Sequence, residues 1–251
     1  MGERHSRLAR CESRSHPDAL GLRPGRDPAG VAPAMLGRMQ ALLARLYDAH
    51  IDHDPQEFLI TDREALVKLI GEAHAAAESD EQVFIVDTPD GLRIGLFIDA
   101  AVLQRLARRD PLQALSDENL QDFCTALEGV SHFHYLLWCL HRGRAVSLLE
   151  LELQADVDKY ASALLLLTHQ RGGAFPRALH ASLFDRVSYL PQSDAAVRHR
   201  YEEANRHAAR YCRELDERFL RGRRSRPEAW VSELRRFFRF GHQQKLLAAA
   251  R

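Results

Sequence analysis

Apolar side chains first fall into step at Met35. Leu36, Met39, Leu43, Leu46 and His50 then recur at helical spacing, and the run stops before Asp52-His53-Asp54-Pro55. "EFLIT" (57–61) reads as a short strand, and Thr61 with Glu64 forms a T-x-x-E capping box for a helix to about Ala77. "QVFIVD" and "LRIGLFID" flank "TPDG", in which Pro89 is preset for a turn and Gly91 is free to take positive φ. That pattern is a β-hairpin. Beyond Asp99 the helical period dominates. A short helix covers 100–108, and Ser116 caps a long one to about Leu140. Ser147 and Glu150 form a second capping box, which decides "LLELEL" in favour of a helix from Leu148 to about Thr168. Ser193 caps a helix over 194–220, and Ser225, Pro227 and Glu228 open the last substantial one.

These elements predict an α+β protein, predominantly α-helical. Four to five helices form a bundle beside a small antiparallel β-sheet or hairpin near residues 57–98. Three regions follow: a tail over 1–34, a small α/β subdomain over 35–110, and a helical body over 111–251 that ends in a basic segment. The tail is rich in Arg, Pro and Gly without apolar periodicity, so it is expected to be disordered, and Met35 stands where a natural start would fall. It has no apolar core of a secretory signal, and no apolar run approaches the ~20 residues that span a bilayer. A cytoplasmic protein without membrane contact is the expectation.

Composition changes how the charges are read. Thirty-five basic residues balance 35 acidic ones, so no net field steers the chain toward nucleic acid. Lys68, Lys159 and Lys245 are the only lysines, and the other basic residues are Arg. Such a ratio points to GC-rich codon usage of a bacterial type, and it lowers the weight of any Arg cluster. The four cysteines, Cys11, Cys124, Cys139 and Cys212, have neither zinc nor disulfide spacing and read as reduced thiols. No P-loop, dinucleotide-binding glycine motif, nucleophile elbow or H-E-x-x-H is present.

Three constellations could carry chemistry. The helix over 117–140 is apolar around most of its circumference, and its narrow polar strip holds Glu128 and His132, four apart on one face. With Asp156 from the next helix they would make a Glu/His/Asp site for a divalent transition metal. Glu152 flanks Asp156, and Glu203 with His207 could add a further pair. The plainer expectation is a core helix with a polar slit, in which Glu128 and His132 pair locally, Asp156 meets an Arg, and His134 is a hydrogen-bonded core residue. Asp62, Asp87 and Asp99 end predicted strands, but each also suits a cap or a turn. Residues 207–251 hold 12 basic against five acidic side chains, and Arg221, Arg223, Arg224, Arg235, Arg236 and Arg239 could grip phosphates or an acidic surface.

On sequence grounds the leading expectation is a helical interaction or accessory protein with a protein partner and no cofactor. A metal-dependent enzyme is the first alternative, and nucleic-acid binding is the second.

Overall fold

The computed structural model describes residues 31–72, 74–75, 79–88, 91–185, 195–221 and 225–250. The tail through residue 30, Ser193, Arg223 and Arg224 lie outside the described residues. Helix α1 spans Val31–Tyr47; a 3-10 turn (Pro55–Phe58), strand β1 (Leu59–Ile60) and α2 (Arg63–Ile70) follow. Strands β2 (Glu81–Thr88) and β3 (Gly91–Ile98) lead into α3 (Ala100–Arg108), α4 (Leu120–Leu140) and α5 (Leu148–Gln170). The chain continues through α6 (Leu179–Phe184), α7 (Ala195–Leu215), a π turn (Asp216–Leu220), α8 (Pro227–Arg239) and α9 (His242–Ala249). The expected predominantly helical α+β class holds, with a three-stranded sheet of order β1-β3-β2. The hairpin is antiparallel as expected, while β1 joins β3 in parallel, which makes the sheet mixed.

Several helix starts differ from the sequence reading. Asp62, not Thr61, caps α2 by accepting from the Ala65 N–H, and the helix ends at Gly71 with φ of 80°. Asn119, not Ser116, is the N-cap residue of α4, and its side chain accepts instead from the Ser116 N–H. Ser147 does cap α5, 3.2 Å from the Glu150 N–H. Asp99 caps α3 as expected. At α8 the N-cap residue is Arg226, with Pro227 opening the helix.

Helix α4 is the axis of the molecule. Every side chain from Val130 to Cys139 is buried, as its nearly continuous apolar surface requires. Helix α1 packs on one side of it, α5 on another, and the sheet on a third, while α7 backs α5. Aromatic stacking ties the layers together: Tyr47 lies 4.3 Å from Phe238, and Tyr211 lies 4.1 Å from Phe237.

The core also contains a polar chain. The Tyr47 hydroxyl donates to Asp158, which also accepts from Ser131 Oγ and Gln154 Nε2, both at 2.6 Å. Gln154 in turn accepts from the fully buried Lys245 of α9, whose ammonium also reaches the Phe237 carbonyl at 2.9 Å. Five helices thus meet on one network.

In the sheet, Phe84 of β2 faces Gly95 of β3 directly, and its ring fills the place a side chain would take. A Cβ on Gly95 would stand 2.1 Å from that ring. Gly95→Ala must expel Phe84 from its cover over Leu66 and Phe97, and should cost about 2 kcal/mol, the middle of the overpacking range. A denaturant midpoint shift with an unchanged slope is the check.

Candidate metal centre

The helix pair α4–α5 meets the N-terminal end of β2 around His132. Close approach is allowed by Gly129, where an added Cβ would lie 3.0 Å from Leu96 and 3.2 Å from Glu81 Oε2. Glu81, the first residue of β2, is thereby laid against α4, with Oε2 3.7 Å from His132 Nδ1. On the other side of the imidazole, Nε2 faces Glu152 Oε2 of α5 at 3.4 Å. The three side chains are only 8–11% exposed. Arg200 of α7 reaches the second Glu152 oxygen at 3.5 Å.

One turn away on α4, Glu128 accepts from Lys159 Nζ at 2.8 Å, and Asp156 takes the same ammonium at 2.8 Å. Glu128 and His132 therefore do not form the expected local pair. Asp156 meets a lysine where an arginine was expected. Among the described residues, the ligand atoms that converge belong to Glu128, His132 and Glu152, all within 4.8 Å of one another. Glu152 stands where the sequence reading placed Asp156. His207 and Glu203 lie 3.9 Å apart on α7 and are not in this group.

The electrostatics are those of a carboxylate-rich pocket short of positive charge. Burial opposes charge on His132, but Glu152 and Glu81 outweigh it and hold the imidazolium well above its ordinary range. Burial pushes Glu81 up, against the pull of His132. Glu128 is also desolvated, yet Lys159 and His132 together bring it below the usual carboxylate value. Asp156 is raised by burial in spite of the same lysine. His132 meets Glu152 Oε2 and Glu81 Oε2 as buried ion pairs at 3.4 and 3.7 Å, and none of these contacts is a well-formed hydrogen bond. Buried charges paired without good hydrogen bonds are poorly compensated for their desolvation. Two ligands about 2.1 Å from a shared tetrahedral ion stand about 3.4 Å apart, the spacing found between Nε2 and Oε2.

The other candidates find local duties. His134 is buried as expected, and burial pushes its pKa down to about 4, but neither ring nitrogen makes a well-formed hydrogen bond. Asp62 and Asp99 are occupied as caps, and the side chain of Asp87 lies outside the described residues. Arg235 donates to the Leu46 and Arg45 carbonyls at 2.9 and 3.1 Å, and Arg239 reaches the Asp48 carbonyl at 3.3 Å. These two arginines cap the C-terminal end of α1, where free carbonyls and the helix dipole favour positive charge. Arg236 pairs with Glu233, and the guanidinium of Arg221 lies 5.3 Å from the Phe175 ring. Cys124, Cys139 and Cys212 are buried free thiols, and burial pushes Cys124 up to about 12, far from thiolate chemistry.

Sequence reasoning found Glu128 and His132 through their spacing on a polar strip. It passed over Glu81 and Lys159, whose roles depend on how the hairpin and α5 dock. No helix among the described residues is long and apolar enough to cross a membrane. The chain matches no known protein family, no curated protein and no solved structure.

Proposed function

We propose that this protein binds one divalent transition-metal ion through Glu128, His132 and Glu152, as the centre of a metal-dependent activity. The observation that carries this reading is the convergence of buried ligand atoms from Glu128, His132 and Glu152, in which His132 Nε2 and Glu152 Oε2 face each other at 3.4 Å without a well-formed hydrogen bond. Two carboxylates and one imidazole suit Fe²⁺, Mn²⁺, Co²⁺ or Zn²⁺, and the donor set contains no soft sulfur to favour copper(I). Three protein ligands leave a coordination position open, where a bound ion would polarise an oxygen or activate a water. Glu81 would take the outer nitrogen of His132 and fix the ring, the role carboxylates commonly play behind ligating histidines.

Elemental analysis of protein purified without chelator, with a thermal scan, tests the proposal. An ion at a hundredfold excess over its Kd stabilises by about 2.7 kcal/mol. For a chain of this size that raises Tm by about 5–10 °C, reversed by a chelator. Absence of any bound metal together with an unmoved Tm for all four ions would defeat the reading.

Interaction or accessory roles have thinner support. The large apolar side chains exposed among the described residues are Ile85, Leu148 and Leu247. Single exposed apolar residues are ordinary on a protein surface. A nucleic-acid role would have to compete with the helix-capping duties of Arg235 and Arg239.

A further inference from the structure

We infer that the centre takes a single ion because the ammonium of Lys159 occupies the position that a second one would fill. This rests on the metal reading above and adds to it the number of ions and the residue that sets it. Lys159 is one of three lysines in a chain otherwise supplied with arginine, and it sits one turn beyond Asp156 on α5. Its Nζ lies 2.8 Å from Glu128 Oε2 and 2.8 Å from Asp156 Oδ1, with the side chain only 17% exposed. Glu128 thus belongs to two groups at once: the converging trio with His132 and Glu152, and the clasp around the ammonium. A carboxylate shared between two cations is the bridging arrangement of two-ion centres, whose ions stand about 3.5–4 Å apart. Here one of the cations is tethered to the chain.

Charge balance leads to the same number. Glu81, Glu128, Glu152 and Asp156 crowd this volume, and Lys159 with Arg200 supplies half of the opposing charge. One divalent ion on a neutral His132 balances these six groups, whereas a second beside Lys159 would leave two excess positive charges in a buried place, and removal of the lysine halves that excess. The lysine therefore suits the centre to one-ion chemistry, polarising one oxygen or activating one water, and not to a symmetric two-ion clamp.

Removing the tether should uncover the second position. The test is Mn²⁺ titration by calorimetry with electron paramagnetic resonance, on wild type, Lys159→Gln, and Lys159→Gln combined with Asp156→Asn. Wild type should bind one Mn²⁺ and give an uncoupled spectrum. Lys159→Gln should bind two, with the splitting of a spin-coupled pair, and the double variant should return to one. A Lys159→Gln protein that still binds one ion overturns the inference and leaves the metal reading standing. Two ions in wild type overturn it in the same way. No Mn²⁺ in wild type overturns the inference, and the metal reading falls with it only if Fe²⁺, Co²⁺ and Zn²⁺ also fail to bind. All proteins are folded and purified in excess Mn²⁺, which supplies the positive charge the variant lacks, so failure of Lys159→Gln to fold even then also counts against it.

Discussion

Replacing His132 with alanine should lower metal affinity at least a hundredfold, because it deletes the only nitrogen ligand of the proposed trio and leaves the ion two carboxylates. Glu152→Gln should weaken binding comparably, since a neutral amide is a poor ligand. In the metal-free protein Glu152 pairs with His132 at 3.4 Å and with Arg200 at 3.5 Å, so the variant should also lose about 3 kcal/mol of folding stability with or without a metal. What separates a site from a structural pair is a chelator-sensitive stabilisation of wild type that Glu152→Gln lacks. Chemical denaturation with and without chelator distinguishes the two. Metal affinity should also rise with pH. The neighbouring carboxylates hold His132 protonated well above its ordinary range, and an ion must displace that proton. Below the raised pKa, each pH unit gained should strengthen apparent binding about tenfold, levelling off once the imidazole is neutral.

Asp158→Ala should cost about 3–5 kcal/mol of folding stability, enough to unfold many domains. Asp158 is 1% exposed and accepts from Tyr47, Ser131 and Gln154. Alanine strands all three donors and removes a carboxylate that, after Glu150, favours the charge on Lys245. Asp158→Asn keeps the shape and should lose less, about 1–2 kcal/mol, because one donor must then face an amide NH₂. The pH dependence gives a second readout. Burial lifts Asp158 to about 6 from an ordinary 3.8, so between those values the folded state holds the proton more often than the unfolded chain. This residue therefore makes the protein lose stability as pH rises from about 4 to 6, by up to about 3 kcal/mol, and in Asp158→Asn that contribution should vanish.

Periodicity identified the main helices and the hairpin because those segments repeat their pattern over many residues. It passed over α6 and α9, which are short and carry no side-chain cap. The centre was half legible. Glu128 and His132 stood out as ionisable groups on an apolar helix, and that inference needed only the pitch of α4. Preferring Asp156 to Glu152 assumed that nearness to an apolar stripe of α5, Leu149, Leu153, Val157 and Tyr160, marks the inward side. Helix α5 is buried around most of its girth, with Glu150, Glu152, Gln154 and Asp158 all inside, so its stripe points to no single interior. Glu81 could not be placed from sequence at all, since its position over Gly129 is set by the sheet docking on α4.

The polar chain through the core also fixes when the protein can become itself. Gln154 and Lys245 are separated by 91 positions. At the usual pace of synthesis, roughly 5–20 residues per second, on the order of ten seconds pass between them. During that interval α1, α4 and α5 can gather, but Gln154 still lacks its cation and Asp158 the charge beyond it. The network through the core is therefore completed only once α9 has been made.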